Sequence, residues 1–566
     1  MMLNFWLKIK QYSHVLITIL IMVIFLIATL YQLTLPGLHY DEAFEVVPAM
    51  QILQSQPAYA FRNSTITLFD VQFPLMTQDY IGTLNTYGVL PFFVIGGINV
   101  ISMRLYAVFV GGITLLLTYH FTSELNRQTR KVFKNLSCIN HKGLSFWTPD
   151  AGLIAIALLA VNPTFIFWTR QGIFVTAVGT GIGMGASWCW LRWWRSGSYK
   201  FALLGAFLFG LGLYAKLLFI WLIVALFGGF LVARASQAFC LWKNGQASYM
   251  SYLGLVLMGM LGCLPLILYN LQTTGTWQSI AQNTTTSYYG TDNTDIFSNL
   301  YTRLVQLGTL LDSGHLWYLG NIYTNFLMPS IFLIAFCLSV WLAIKHKNII
   351  SLVPFVVIGL VAMQSIVTVS ALWITHFAVI MVWPAVAIAT VAAQIVRHAN
   401  AYRVNIIVIV TLILLLITEA KTTWHYHQAL TESGGLSDHS DAVYDMATWL
   451  EKNADGDVMA MDWGLSASVT FLTHGHVNPI ESFGYDWHDT RQFEEMITPH
   501  LQSQQKTIFL WRSPDEVIFD RSQNFKALYH PLELEETILE AFYERNGRPV
   551  FGATQLVPVG TAENKP

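Results

Sequence analysis

Charge is scarce in this sequence. Only 11% of its 566 residues are Asp, Glu, Lys or Arg, where water-soluble domains run at about 25%. A hydrophobic share of 54% and a mean hydropathy of +0.48 go with it, which excludes both a soluble globular protein and a disordered one. Cysteine is sparse as well. The five present (Cys138, Cys189, Cys240, Cys263, Cys337) are far apart with no Cys-x-x-Cys, so neither a disulfide framework nor a zinc knuckle is indicated. A basic excess is missing, with Lys+Arg 31 against Asp+Glu 33, and that argues against nucleic-acid binding. There is no Walker-type phosphate loop and no dinucleotide fingerprint, so nothing supports a soluble nucleotide-sugar site. Internal repeats and low-complexity stretches are absent, and the apolar halves do not mirror each other as many transporters' halves do.

What is present divides in two. Residues 1–418 hold 21 Lys/Arg and 10 Asp/Glu, a balance of +11, while residues 419–566 hold 10 and 23, a balance of -13. The net charge of -2 therefore hides a basic membrane part and an acidic, water-soluble one. A membrane-crossing helix needs about 20 mostly apolar residues. Eleven stretches qualify: 14–35, 103–123, 151–169, 173–192, 201–215, 217–233, 251–270, 326–344, 349–369, 373–396 and 404–420. The first is too long for a signal-peptide core and has no small-x-small cleavage site, so it reads as a retained anchor.

Charge sets the sidedness. Lys8 and Lys10, then Arg127, Arg130, Lys131, Lys134 and Lys142, mark cytoplasmic segments by the positive-inside rule. Only an even number of crossings fits between them, so 81–100, interrupted by Pro91, Gly96 and Gly97, is expected to be an interfacial or re-entrant helix outside. The later groups Arg192/Arg195/Lys200, Arg234/Lys243, Lys345/Lys347 and Arg397/Arg403 also fall inside. The expectation is thus a multi-pass plasma-membrane protein with a cytoplasmic N-terminus. A membrane domain over 1–420, with long acidic outer loops 36–102 and 271–325, would precede an extracytoplasmic domain over 421–566. In that tail the pattern predicts helix 441–453, strand 457–462, helix 489–502, strand 507–511, helices 514–528 and 533–545, and strand 555–559, a small α/β fold.

Candidate chemistry clusters on the outer side. His39-Tyr40-Asp41-Glu42 follows the first span, and carboxylates near low-dielectric surroundings can act as proton acceptors. The same residues also suit a helix start, where Asp caps and acidic groups favour the first turn. Arg170 ends the third span outside, where a guanidinium binds phosphate oxygens bidentately or simply snorkels to fix helix depth. Lys216 interrupts a continuous apolar run between two spans, a place where charge is rare and usually functional. His376 opens the tenth span and Arg104 the second, each equally compatible with structural work. His425-x-His427 and His474-Gly475-His476 with Asp462 lack convergent ligands at a known spacing, so no metal is indicated.

Several of these motifs together resemble the polytopic C-type glycosyltransferases (GT-C), in particular the bacterial relatives of protein O-mannosyltransferases and of the lipid A aminoarabinose transferase. The motifs occur in order. Gly37-Leu38-His39-Tyr40-Asp41-Glu42-Ala43 comes first, then Phe73-Pro74-Leu75, Tyr80-Ile81-Gly82, Thr86-Tyr87 and Pro91-Phe92-Phe93. Ser102-Met103-Arg104-Leu105, Asn162-Pro163 through Trp168-Thr169-Arg170, and Gly210 through Lys216 follow; Met461-Asp462-Trp463-Gly464 in the tail is a less specific match.

The resemblance implies an inverting transfer on the outer face, from a polyprenyl-phosphate-linked sugar to an acceptor hydroxyl on a lipid, glycan or protein. Asp41 matches the family's catalytic base and Glu42 its acidic neighbour. Arg170, Lys216 and His376 would hold the donor phosphate, with Arg104 and Tyr40 structural or lining the site. An acidic residue that the family often carries five positions after the Arg is Val175 here. The rival readings are a transporter or lipid flippase, and a non-catalytic scaffold that keeps the fold without the chemistry.

Overall fold

A computed structural model of the chain describes residues 2–136, 150–172, 176–235, 249–287, 290–346, 349–367, 372–399, 401–501 and 506–560. Cys138, Cys240, Lys142, Val175, Lys243 and Lys347 lie outside the described residues. Among the described residues, five helices are long and apolar enough to cross a membrane: Ser13–Leu30, Val100–Arg127, Leu327–His346, Ile349–Val367 and Tyr402–Ser433. Three further expected spans are bent pairs, Ala151–Leu159 with Pro163–Gln171, Tyr252–Gly262 with Leu264–Thr273, and Ile374–Ile380 with Trp383–His398, at 66°, 66° and 40°.

Proline explains each bend. Pro163, Pro265 and Pro384 stand at the first or second residue of the second helix in each pair. A proline tolerates that place but denies the preceding helix a donor and disfavours α geometry just before it. Asn162 then restarts the chain, its side-chain oxygen accepting from the Phe165 amide at 2.9 Å.

The stretches read as spans 173–192, 201–215 and 217–233 fold as Thr176–Ser196, Tyr199–Ala215 and Ile220–Ala235, of 21, 17 and 16 residues. By length and apolarity alone, five to eight crossings are met among the described residues, against the eleven expected. The last two of these helices are short, and glycine and Arg192/Arg195 dilute the first. Within segment 81–100 the helix is the 13-residue Leu84–Gly96, about 20 Å long and well short of the ~30 Å hydrocarbon core.

Glycine lets two helices touch. A Cβ on Gly210 would stand 1.9 Å from the Gly259 carbonyl oxygen, and one on Gly262 would stand 2.1 Å from that of Phe207. Such contacts between small residues are a standard way to pack apolar helices where lipid removes the hydrophobic drive. Gly210→Ala is therefore expected to destabilise the protein by about 1–3 kcal/mol through overpacking, read as earlier thermal unfolding of the purified protein.

In the loop 36–102, strands β1 (Thr65–Leu68) and β2 (Val71–Pro74) form a hairpin, and β3 (Met76–Gln78) pairs with β4 (Ile81–Gly82). Arg62 meets Asp79 bidentately at 2.8 Å, Tyr269 donates to Asp79, and Ser64 donates to Gln272 at 2.6 Å. The loops 36–102 and 271–325 are therefore joined.

The C-terminal segment forms one mixed sheet from β5 (Val458–Ala460), β6 (Ile480–Glu481), β7 (Ile508–Arg512), β8 (Leu534–Tyr543) and β9 (Pro549–Pro558), in the order β6-β5-β7-β9-β8. β5 is parallel to β6 and β7, whereas β9 is antiparallel to β7 and β8. Two tail expectations need correction. The helix predicted over 533–545 is strand β8, paired with β9 through a turn containing Asn546-Gly547. Asn-Gly is a strong hairpin signal, but the apolar residues Leu534, Ile538, Leu539 and Phe542 fall at helical spacing, and Ile538 lies exposed on the strand. Within 514–528, only a turn at Pro514–Glu516 and the helix Ser522–Tyr529 form.

This segment packs directly on the end of the bundle that carries His39 to Glu42. One apolar cluster joins Leu38, Tyr40, Val46 and Met103 to Val443, Met446, Leu465 and Phe551. Gly37 lies so close to it that a Cβ would stand 2.0 Å from the Ser440 carbonyl oxygen.

Candidate active site

The site starts at a helix cap. His39 has extended geometry and caps the helix Tyr40–Leu53, its Nδ1 standing 3.2 Å from the Asp41 amide nitrogen. Glu42 completes a capping box by accepting from the His39 amide at 3.5 Å. The capping and chemical readings of this motif thus fall on different residues. His39 and Glu42 do the capping, which leaves the Asp41 carboxylate outside the cap.

Glu42 is engaged again by Arg104. Nε and Nη2 of Arg104 both reach its carboxylate at 2.9 Å. The other three donors go to the carbonyls of Leu33 at 3.0 Å, Pro36 at 2.8 Å and Gly37 at 3.3 Å. All five guanidinium donors are satisfied in a side chain that is fully buried. Arg170, also buried, donates through Nη2 to the carbonyls of Gln32 and of Leu35, while its Nε and Nη1 have no partner among the described residues.

Asp41 faces both the bundle and the C-terminal segment. Its Oδ2 lies 3.5 Å from His39 Nδ1, and Lys216 is among the charges acting on it. Burial drives its carboxyl up to about 6 although His39 and Lys216 pull the other way. Lys216 sits at the end of the helix Tyr199–Ala215 and is fixed against the loop 36–102 by a bridge to Ile81. Burial brings its ammonium down to about 8, against the opposing pull of Glu45 and Asp41.

Near Lys216 is His376, buried in the turn Ile374–Ile380, with Arg303 beside it. Arg303 was not singled out by the sequence. It is buried in the amphipathic helix Ile296–Asp312, bonded to the carbonyls of Ser365 and Trp373 and to Gln306, with Nη2 unpartnered among the described residues. The signal available was a lone basic residue in an otherwise acidic outer loop.

The far side of the site comes from residues 318 and 437–512; of these the sequence reading names Asp462 and Trp463, in the motif 461–464, but not Tyr318, Asp438, His439 or Arg512. His39 Nε2 lies 3.5 Å from Asp438 Oδ2, and Arg512 Nη1 lies 3.6 Å from the same oxygen. The rings of His39 and His439 stack at 4.3 Å and 15°, and Tyr318 stacks on His439 at 4.1 Å. Trp463 closes the edge, its ring 4.9 Å from Tyr40, whose hydroxyl donates to Glu481 at 2.6 Å. Trp463 is held by its neighbour Asp462, which accepts from the amides of Trp463, Ile518 and Phe519 at 2.8, 2.9 and 2.8 Å.

His39, Asp438 and His439 place three ligating groups within 4.8 Å of one another. The ring geometry opposes a shared ion. A metal lies in the plane of each imidazole it binds, at about 2.0–2.1 Å for zinc, and two rings stacked at 15° cannot both present such a lone pair to one point.

No family model matches the sequence, and no curated protein matches it. Solved structures do. The crystal structure of ArnT from Cupriavidus metallidurans bound to undecaprenyl phosphate is similar with a TM-score of 0.55 and 12% identity, over 96% of this chain and 98% of that one. The apo form of the same protein gives 0.54 and 11%, with the same coverage. This chain therefore has a GT-C-like fold, a polytopic helical membrane protein with a C-terminal sheet region.

Proposed function

We propose that this protein is an inverting glycosyltransferase. It moves a sugar from a polyprenyl-phosphate donor to an acceptor hydroxyl on the outer face of the plasma membrane. The observation that carries the reading is the Asp41 carboxylate, outside the helix cap and flanked by the cations His39 and Lys216. It stands in a fold that a neighbour uses to bind undecaprenyl phosphate. The charge split supports the orientation, with the N-terminus cytoplasmic and the segment after about residue 420 outside.

In the transfer, the acceptor oxygen bonds to the anomeric carbon and its proton passes to Asp41. The bond from that carbon to the phosphate oxygen breaks, and its electron pair leaves on polyprenyl phosphate. Lys216, with Arg303 behind it, stabilises the charge growing on that phosphate, which fixed cations beside a low-dielectric wall do better than water, and His376 lines the same region as a hydrogen-bonding group. Glu42, Arg104 and Tyr40 hold the frame, and Arg170 anchors the turn before the motif.

The test supplies purified protein in nanodiscs with a panel of undecaprenyl-phosphate sugars and measures release of undecaprenyl phosphate. Turnover with one donor is expected; inactivity with every donor, in protein shown to be folded, would favour the scaffold reading. With the active donor, kcat/KM should be bell-shaped in pH. Asp41 must be ionised, so the rate falls as pH drops through about 6. Lys216 must be charged, so the rate falls again as pH rises through about 8.

A further inference from the structure

We propose that Asp438, delivered by the C-terminal segment, is a positioning residue for the transfer: it holds the His39 imidazole in place and charged against Asp41. The inference rests on the reading of Asp41 as the base, and it gives the C-terminal segment a part in the chemistry.

The geometry is a relay of three groups. Asp438 Oδ2 faces His39 Nε2 at 3.5 Å, and His39 Nδ1 faces Asp41 Oδ2 at 3.5 Å. Ring stacking on His439, itself stacked on Tyr318, fixes the plane of His39. Asp438 is held in turn. Arg512 lies 3.6 Å from its Oδ2, and the amide of the preceding Ser437 donates to Glu544 at 2.8 Å. Glu544 is clamped by Arg548, which also pairs with Glu516. The whole arrangement spans two regions about 400 residues apart in sequence, so it exists only when the C-terminal segment is docked.

The electrostatics follow from the charges that surround His39 and Asp41. Burial alone would pull His39 down, but Asp438, then Asp41 and Glu42, outweigh it and push the imidazole up to about 9. Asp438 is held well below the usual carboxylate range, since His39, His439 and Arg512 outweigh its burial. His439 is pushed down to about 3 by burial and by the charge on His39, and so stays neutral in the stack. On Asp41, the cations His39 and Lys216 oppose burial and the charges of Asp438 and Glu42. A charged His39 is thus what keeps a buried base ionised near neutral pH. When the ring is neutral, Nδ1 can accept the Asp41 amide hydrogen; when charged, its N–H turns to the carboxylate. Both states need Nε2–H on Asp438.

The experiment combines Asp438→Asn with a direct look at the imidazole. With the active donor, Asp438→Asn is expected to move the acid limb of kcat/KM up by about 1–2 pH units, since a carboxylate loses its nearby cation. That lowers the rate roughly 5–50-fold at pH 6 with recovery toward pH 8, and donor KM stays near wild type. Asp438→Glu keeps the charge and should keep the wild-type limb. A rate loss with an unmoved limb, or no change at all, overturns the proposal.

Independently, full-length protein carrying 15N-labelled histidine is titrated in nanodiscs, with the His39 signal assigned from His39→Gln. The wild-type imidazole should hold its proton past pH 8. A midpoint near 6.5, the ordinary histidine value, overturns the proposal even if Asp438→Asn fails to fold. If Asp41→Asn turns over like wild type, the base reading fails instead, and the histidine titration still decides whether Asp438 holds His39.

Discussion

Asp41→Asn is expected to lower kcat by about 10²–10⁴-fold, the usual contribution of a general base. That is about 3–5 kcal/mol of barrier at 1.36 kcal/mol per tenfold. The substitution keeps the shape and removes only the ability to take a proton. The competing account, in which Asp41 merely supports its helix, predicts a different size of effect. The cap is made by the His39 ring and Glu42. What remains for Asp41 is a carboxylate in the first turn, worth about 0.3–1 kcal/mol against the helix dipole. A structural loss of that size would leave turnover nearly intact.

Donor affinity should hold or tighten, because removing a negative charge beside Lys216 makes the site more attractive to phosphate. The measurement is single-turnover release of undecaprenyl phosphate, with thermal unfolding as the control for folding. Equal turnover in wild type and Asp41→Asn would remove Asp41 from the mechanism.

How far the sequence reveals this site depends on the separation of the contacts that build it. Local features are legible. The apolar runs are long, and the capping motif at His39 to Glu42 occupies four consecutive residues. The helix start and the motif's chemistry looked like alternatives, and the structure divides them between neighbouring residues. The bends were also written in the chain, at Pro163, Pro265 and Pro384, but an apolar window averages over a proline and reports one span. β8 was misread because Leu534, Ile538, Leu539 and Phe542 recur at helical spacing, although Ile538 is exposed on the strand. Asp438, His439 and Arg512 are of another kind. They are ordinary polar residues in an acidic tail, and only folding brings them to His39, roughly 400 positions away. Nothing periodic records such a contact. Arg303 and His376 reach the region of Lys216 from different helical segments in the same way.

Removing the guanidinium of Arg104 should cost more stability than any other single change near the site. Arg104→Ala leaves Glu42 buried without its cation, and breaking one half of a buried ion pair costs about 3–5 kcal/mol. The loss extends to the backbone before the motif, where every carbonyl from Gln32 to Leu38 is engaged. Arg170 holds Gln32 and Leu35, Arg104 holds Leu33, Pro36 and Gly37, Tyr444 holds Thr34, and Ser468 holds Leu38. Buried carbonyls must find donors, so without Arg104 three of these seven lose theirs in the segment that sets the position of Asp41.

The expected result is a large fall in the yield of monodisperse protein and in its unfolding temperature, with activity lost in proportion. The double variant Arg104→Met with Glu42→Met should recover much of the stability, because apolar replacement of a whole buried pair is often neutral. It should not recover turnover, since the carbonyls of residues 33, 36 and 37 stay unpaired and the turn that aims Asp41 is no longer fixed. If Arg104→Ala unfolds like wild type, the pair is not what holds this turn. If the double variant is as unstable as the single one, the carbonyls rather than the stranded charge carry the cost.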